Sequence, residues 1–491
     1  MILSLIFSIF EILFFKDIFA ADSIVIDLGF KIVYLSYDTP TILFNLKYLY
    51  ILFTLLSKAI LLSNLMPNKN REKSKKKELH DNSLHLDLGK ALSSNEIIKI
   101  SEKGLYQNLL ITGAIGSGKT SSAMYPITRQ LIAYHSSNLQ KKLGMLILDV
   151  KGNYIYQVKK YAKLYNRESD IIPIQISGDF KYNPLDNASL KPTVLANRLK
   201  TILLLFSPNN TESYWIDKSE IALAEAIKLC RLYNNGYVTF NEIHNLITNH
   251  DYYSEKINML RNKFLNSKFN SEQSYDLLSA LNFFEKEFYA LDSRTFNILK
   301  SEITRITSFF VSDSDVLKTF CPDKSKNNFP GFQSIINSGK IVILNMNINE
   351  YKNLSKIIAT YLKLDFQTEV LRRLASNNTN IHPVAFISDE YSEYVSATDA
   401  NFFSQSRESK CINIISTQSY TSLLNALNNK YSVEVIVQNL VNKLWFRSDD
   451  MFTIEDAQKQ LRQNRCRKDF KNYIRKCKRN FLQHYHAFIT I

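Results

Sequence analysis

Eight consecutive residues of this protein have the types and spacing needed to bind several linked phosphate groups. Residues 113–120 read G-A-I-G-S-G-K-T and fit the pattern G-x-x-x-x-G-K-[ST], directly after an apolar run and before a helical pattern. The glycines let the backbone curl so that its N–H groups face phosphate oxygens, and the next helix adds the positive end of its dipole. The pattern predicts a nucleotide-binding loop formed by Gly113, Ala114, Ile115, Gly116, Ser117, Gly118, Lys119 and Thr120.

Two residues at the end of this loop have defined roles in such a site. Lys119 is expected to reach the β- and γ-phosphates, and Thr120 to bind Mg²⁺ through its hydroxyl. The expected ligands are therefore ATP and Mg²⁺. Pro126 lies within the helix expected after the loop and predicts a kink there.

A phosphate loop of this kind also needs a carboxylate at the end of a neighbouring buried strand. Asp389 follows the apolar run V-A-F-I-S and is the best candidate for the second protein ligand of Mg²⁺. Glu390 could then act as the general base on the attacking water. Paired acids at a strand end are also common as helix caps. Asp149, in L-I-L-D-V-K-G, is an alternative candidate for this carboxylate, but it follows the phosphate loop too closely in the sequence. We predict instead that Asp149 and Lys151 lie beside the nucleotide.

Two further polar residues are notable for their positions. Gln418 ends the strand-like run I-N-I-I-S-T-Q, where an amide could sense the γ-phosphate. Arg407 lies at the end of a helical stretch and could reach the nucleotide of a neighbouring subunit. For a single arginine, the alternative is a solvated helix end.

Apolar runs that alternate with helical stretches predict an α/β fold with a parallel sheet covered on both faces. The strand-like runs are 107–112, 143–150, 171–176, 340–344, 382–388, 411–417 and 440–446. Between about 190 and 320 the pattern is helical with hardly any glycine, which favours an all-α domain inserted into the sheet domain. We predict a nucleotide-binding domain in two parts, residues 81–195 and 326–460, with the insert at 196–325.

The distribution of charge and the cysteine content bear on nucleic-acid binding and on the cellular compartment. The formal net charge is +15, but residues 69–77 carry +5 and residues 462–491 carry +8, which leaves +2 for the rest. Bulk charge is therefore no evidence that the body of the protein binds DNA. The 5 cysteines lie far apart, as expected in a reducing compartment without disulfides or structural zinc.

The N-terminal 66 residues are predicted to anchor the chain in a membrane. Residues 41–66 are apolar enough to cross a hydrocarbon core of about 30 Å. The basic linker 67–80 follows, which places that side in the cytoplasm. Residues 1–20 form a shorter apolar run, for which a first crossing fits better than a secretory signal, with residues 21–40 as a short external loop. The alternative for 41–66 is a buried amphipathic helix hairpin.

Taken in order, these motifs resemble those of the type IV secretion coupling proteins, the TraG/TraD-like conjugative ATPases. The resemblance covers nearly the whole chain and is carried by G-A-I-G-S-G-K-T, L-D-V-K-G at 148–152, Y-N-P-L at 182–185, S-Y-W at 213–215, S-G-K-I-V-I-L at 338–344, D-E at 389–390, R-E at 407–408 and S-T-Q-S at 416–419.

The resemblance implies a RecA-like P-loop NTPase domain with an inserted all-α domain and N-terminal transmembrane helices. By similarity, Arg407 becomes a finger that acts on a neighbouring subunit, and Gln418 a residue that couples hydrolysis to movement. Members form hexameric rings at the inner membrane, and they transfer single-stranded DNA with its relaxase, or protein substrates, into a secretion channel. The alternative from another class is a membrane protein that binds nucleotide without translocating anything.

The C-terminal segment 461–491 departs from the family pattern. It is rich in Arg and Lys and has no clear amphipathic period. Back-translated with AT-rich codons, residues 462–480 can be read one base out of frame as an acidic helix. We therefore predict a frameshift near residue 461, and a genuine basic tail that binds nucleic acid is the alternative. The coding DNA decides between them.

Overall fold

The computed structural model describes residues 24–27, 32–35, 84–91, 94–206, 213–266, 269–375, 381–463 and 488–490. The chain divides into two compact units, residues 1–80 and 81–491. In the first unit, strands β1 (Ile24–Asp27) and β2 (Ile32–Leu35) pair antiparallel within the predicted external loop. The predicted membrane segments and the basic linker 67–80 lie outside the described residues. Among the helices that are described, none is long and apolar enough to cross a membrane.

The second unit is built on a sheet in which seven strands run parallel. In chain order they are β5 (Leu109–Thr112), β6 (Gly144–Leu148), β7 (Ile171–Ile174), β8 (Ile341–Leu344), β9 (Val384–Ser388), β10 (Cys411–Thr417) and β11 (Asn442–Trp445). Their spatial order is β11-β5-β10-β9-β6-β8-β7, and every neighbouring pair is parallel. All seven predicted strands are confirmed, because fully buried parallel strands leave continuous apolar runs in the sequence.

Like β1 and β2 of the first unit, three further strands in the described part of the second unit were not predicted. β3 (His85–Lys90) and β4 (Ile97–Ser101) form an antiparallel pair before the phosphate loop. This pair is tied to the helix after the loop, where the Gln130 side chain bonds both backbone groups of Asp87 at 2.8 and 3.0 Å. β12 (Phe488–Thr490) pairs antiparallel with β11 and so extends the sheet at its edge.

Between β7 and β8 the described chain is helical. The helices of the second unit up to this point are α1 (Glu102–Leu105), α2 (Tyr125–Ala133), α3 (Tyr154–Leu164), α4 (Pro192–Leu205), α5 (Ser213–Tyr233), α6 (Phe240–Thr248), α7 (His250–Leu265), α8 (Ser271–Asn282), α9 (Ser293–Val311) and α10 (Ser314–Phe320). A helical segment at 192–320 is what the sequence pattern indicates. The domain limits at 195, 325 and 460 stay predictions.

The remaining helices alternate with the last strands. They are α11 (Gly331–Ser338), α12 (Ile348–Ala375), α13 (Asp399–Gln405), α14 (Tyr420–Leu427), α15 (Lys430–Asn439) and α16 (Met451–Gln463). One hydrophobic cluster runs from the strands into the helices between β7 and β8. Within it, Phe240 stacks on Phe310 with ring centres 4.0 Å apart and meets Tyr361 of α12 edge-on. The sheet and these helices therefore share apolar contacts.

Candidate nucleotide site

The glycines of the 113–120 loop are required by its local geometry. Gly116 and Gly118 have φ values of 75° and 90°, a conformation that residues with a Cβ rarely adopt. Gly113 is needed for space, since a Cβ there would lie 2.5 Å from the Cβ of Phe446. The loop thus curls at the carboxyl end of β5, the edge of a parallel sheet where ligands bind.

Lys119 lies at the centre of this loop. Its Nζ donates to the carbonyls of Gly113 at 2.6 Å and Ala114 at 3.3 Å, and the residue is 5% exposed. Burial lowers the pKa of Lys119, while the nearby Glu390 and Asp389 carboxylates act in the opposite direction. The ammonium therefore sits among acceptors, facing the two acidic residues predicted from the sequence.

The chain leaves the loop through an irregular helical turn. Lys119–Met124 form a π-helical turn, and the α-helical geometry of α2 begins at Tyr125. Pro126 is the second residue of α2, where a missing N–H costs least. The π turn ends two residues before Pro126, and the kink predicted at Pro126 stays a prediction.

Thr120 and Asp389 meet although they are far apart in the sequence. The Thr120 hydroxyl donates to Asp389 Oδ2 at 2.9 Å. Asp389 follows β9, is 1% exposed, and its backbone N–H bonds the Leu148 carbonyl at 3.0 Å. A hydroxyl and a carboxylate oxygen are ligands that suit Mg²⁺, so these two residues fit that ion. No cluster of three or more His, Cys, Asp or Glu side chains suited to a metal occurs in the described chain.

Glu390 has an unusual backbone. Its φ and ψ are 48° and 50°, the left-handed region that is unfavourable for a residue with a side chain. Burial raises the pKa of Glu390, the positive charge of Lys119 lowers it, Asp389 raises it, and a hydrogen bond with the Gln418 side chain lowers it. Glu390, Lys119 and Gln418 are therefore close enough to affect one another.

Gln418 reaches the site because of the strand order. β10 lies between the loop strand β5 and the strand β9 that carries Asp389. The Gln418 carbonyl accepts the N–H of Gly113 at 3.2 Å, while its side chain contacts Glu390. One residue thus links the phosphate loop to the acidic pair.

Asp149 lies at the end of β6, beside β9, and its carboxylate is already engaged. It accepts backbone N–H groups from Lys151 at 3.1 Å and from Asn153 and Tyr154 at 2.9 Å each. Burial raises its pKa, while these three bonds oppose that rise. In the structure Asp149 caps the turn that starts α3, and its contact with nucleotide stays a prediction.

Arg407 is the one predicted residue that the fold separates from the others. It lies just before β10, at the amino ends of the parallel strands, and its side chain is exposed. The seven residues of β10 span about 20 Å, with the phosphate loop at the far end. Arg407 therefore does not contact the loop of its own chain.

Sequence reasoning missed the support from β11. The carbonyl of Arg447 accepts the Ala114 N–H at 2.7 Å, and Phe446 packs against Gly113. This support could have been predicted from the sequence. The carboxyl ends of parallel strands lie at one edge of the sheet, so the residues after 442–445 must lie beside the phosphate loop that follows 109–112.

Seven parallel strands with a phosphate loop at their carboxyl edge, and one strand between the loop strand and the Asp389 strand, define an α/β fold of the RecA-type P-loop class. Among solved structures, the chain is similar to the bacterial conjugative coupling protein TrwB in an unbound form, with a TM-score of 0.49 and 12% identity over 76% of this chain and 74% of that one. TrwB in complex with ADP and Mg²⁺ matches with a TM-score of 0.48 and 12% identity over 75% of each chain.

VirB4 of Thermoanaerobacter pseudethanolicus is also similar, with a TM-score of 0.45 and 14% identity over 74% of this chain and 85% of that one. The sequence matches no protein-family model, and no curated protein matches it significantly. These similarities concern the fold alone. At such low identity and TM-scores, we base the chemistry of the site on this chain's own residues.

Proposed function

We propose that this protein is a P-loop ATPase of the motor type, anchored in the inner membrane, which couples hydrolysis to substrate transfer through a type IV secretion system. The observation that carries the proposal is the hydrogen bond between Thr120 and Asp389. It joins the phosphate loop to a carboxylate on another strand, in the arrangement that a site for ATP and Mg²⁺ requires.

The catalytic roles follow from where each side chain lies. Backbone N–H groups of the loop and the Lys119 ammonium offset the phosphate charge, and Thr120 and Asp389 hold Mg²⁺. Mg²⁺, when bound there, would supply positive charge that offsets the charge of the phosphates. Glu390 accepts a proton from the attacking water, and the Gln418 side chain beside it helps to orient the Glu390 carboxylate.

Arg407 completes the site of a neighbouring subunit. Its exposed position at the opposite edge of the sheet supports this role, because an arginine there is free to face another copy of the chain. A closed ring of identical subunits, a hexamer by resemblance, gives each loop one such arginine. Activity then depends on assembly.

Substrate transfer is supported by the motif series and the predicted anchor. The series from 113 to 419 resembles that of the coupling proteins, and residues 41–66 suit a membrane crossing with the ATPase on the cytoplasmic side. The substrates of such a motor are single-stranded DNA with its relaxase, or proteins, delivered to the channel components of the secretion system.

The test is ATP turnover by the full-length protein in lipid nanodiscs, with and without single-stranded DNA. We expect Mg²⁺-dependent turnover that Lys119→Ala lowers by roughly 100-fold. Lys160→Ala is the matched control, since Lys160 is an exposed lysine of α3 and its loss should leave turnover unchanged. Wild-type turnover no greater than that of Lys119→Ala, with ATP still bound, would leave only the alternative of a nucleotide-binding protein that does not translocate.

A further inference from the structure

A buried ion pair lies next to the chain segment that follows Glu390, outside the residues assigned to the nucleotide. Lys363 of α12 and Asp399 at the start of α13 are joined Nζ to Oδ2 at 2.6 Å, and neither side chain is exposed. Replacing such a pair by apolar residues of similar volume often leaves stability unchanged or raises it. Stability alone therefore does not account for this pair.

The Lys363 ammonium uses all three of its N–H donors within this cluster. Besides Asp399, it donates to the Tyr394 carbonyl at 2.5 Å and the Ser396 hydroxyl at 3.0 Å. Both of these partners lie on the segment between Glu390 and α13. The lysine thus fixes the course of that segment.

Asp399 extends the cluster to the residue beside Glu390. Its Oδ2 accepts the Tyr391 hydroxyl at 2.5 Å and the Ser396 N–H at 2.7 Å, while Oδ1 accepts the Gln367 amide at 3.0 Å. Lys363 Nζ also lies 5.5 Å from the centre of the Tyr391 ring. The buried Tyr391 side chain is therefore held by its hydroxyl and by its ring.

Glu390 lies between two fixed neighbours. On one side Asp389 is held by Thr120 and by the Leu148 carbonyl, and on the other Tyr391 is held by the ion pair. Left-handed backbone at a residue with a side chain persists only where the surroundings impose it. The two fixed neighbours supply that constraint for the φ of 48° at Glu390.

We propose that Lys363 and Asp399 are positioning residues, which hold Tyr391 through its hydroxyl and so keep the Glu390 carboxylate aimed at the phosphate loop. This inference rests on the proposed role of Glu390 as general base. Neither Lys363 nor Asp399 is among the residues assigned to the nucleotide, so their effect belongs to the hydrolysis step and not to ATP binding.

Tyr391→Phe is the sharpest test, because it removes one hydroxyl and leaves the ion pair intact. Replacing Lys363 or Asp399 alone would leave an unpaired buried charge and can prevent folding. Tyr182→Phe is the matched control. Tyr182 is also buried, and its hydroxyl donates at 2.6 Å to Asp365, another α12 carboxylate, which pairs with Arg198.

Both variants should lower the melting temperature to a similar extent. For Tyr391→Phe we expect kcat to fall roughly tenfold with KM for ATP changed by less than about twofold, as for a displaced catalytic group. Tyr182→Phe should keep both constants. Equal kcat values in the two variants, whether near the wild-type value or reduced together, would overturn the positioning role.

Glu390→Gln tests the role of Glu390 as general base independently of the positioning role of Lys363 and Asp399. If Glu390→Gln abolishes turnover while Tyr391→Phe matches Tyr182→Phe, the positioning role is wrong and the ATPase stands. If Glu390→Gln keeps wild-type turnover, Glu390 is not the general base, and the proposed mechanism fails together with the inference.

Discussion

Thr120 is the residue at which the two halves of the candidate site meet. Its hydroxyl donates to Asp389 across the sheet, yet the same oxygen is the one expected to bind Mg²⁺. Both tasks need a hydroxyl and neither needs the methyl group. A substitution that removes the hydroxyl and keeps the shape of the side chain therefore tests both tasks of Thr120.

Thr120→Val keeps the shape of the side chain and removes the hydroxyl. We expect ATP turnover to fall roughly 100-fold, because Mg²⁺ loses a ligand and Asp389 a hydrogen bond. Nucleotide affinity in EDTA should be unchanged, while the gain in affinity on adding Mg²⁺ should be lost. Calorimetric titration of ATP with and without Mg²⁺ measures both.

Thr120→Ser is the control for this substitution. It restores the hydroxyl and should return most of the turnover and the Mg²⁺ dependence. A valine variant with normal Mg²⁺-dependent affinity would show that Thr120 is not a ligand of the ion.

At the level of the elements, the phosphate loop is supported by three strands. β5 leads into it, the residue after β10 binds Gly113, and the residues after β11 contact Gly113 and Ala114. The packing of Phe446 against Gly113 therefore restrains the loop from the side of β11.

Gly113→Ala tests this support. The added Cβ would lie 2.5 Å from the Cβ of Phe446, which is not the flexible end of a side chain, so the loop must shift. Such overpacking costs roughly 1–3 kcal/mol, and we expect ATP affinity to fall about tenfold or more. Equilibrium binding of a fluorescent ATP analogue measures the loss.

Gly144→Ala provides the matched control. Its Cβ would lie 2.8 Å from the Cα of Ile336, at the start of β6 and away from the loop. It should lower the melting temperature while leaving ATP affinity unchanged. Equal affinity losses in the two variants would mean that overpacking anywhere in the sheet disturbs the site.

The sequence predicted the strands well and the connections between them less well. Buried parallel strands leave continuous apolar runs, so all seven were found within a few residues of their limits. β3 and β4 were missed because polar residues interrupt their apolar runs, and β12 because 461–491 has no periodic pattern. The role of Asp149 as a cap depends on three backbone N–H groups whose positions only the fold defines.

The sequence indicated which residues of the candidate site come together but not the contacts that join them, and their roles stay predictions. Lys119, Thr120, Asp389, Glu390 and Gln418 come together as the motifs indicate. The bond between Gln418 and Glu390, the contacts of Phe446 and Arg447, and the ion pair beside Tyr391 depend on strand order and side-chain packing. These are long-range properties without a local sequence signal.

At the scale of the whole molecule, one chain holds only part of the proposed machine. Arg407 lies at the opposite edge of the sheet from its own loop. We therefore expect turnover to depend on contacts between copies of the chain.

The most direct measurement is ATP turnover by mixed subunits carrying Lys119→Ala or Arg407→Ala. Each variant alone should be nearly inactive, because every interface lacks either the lysine or the arginine. Mixed in equal amounts and reassembled, they should regain up to about one quarter of wild-type turnover, since one interface in four joins an intact loop to an intact arginine. Turnover in the mixture no higher than the average of the two variants alone, or wild-type turnover by Arg407→Ala, would contradict a site shared between subunits.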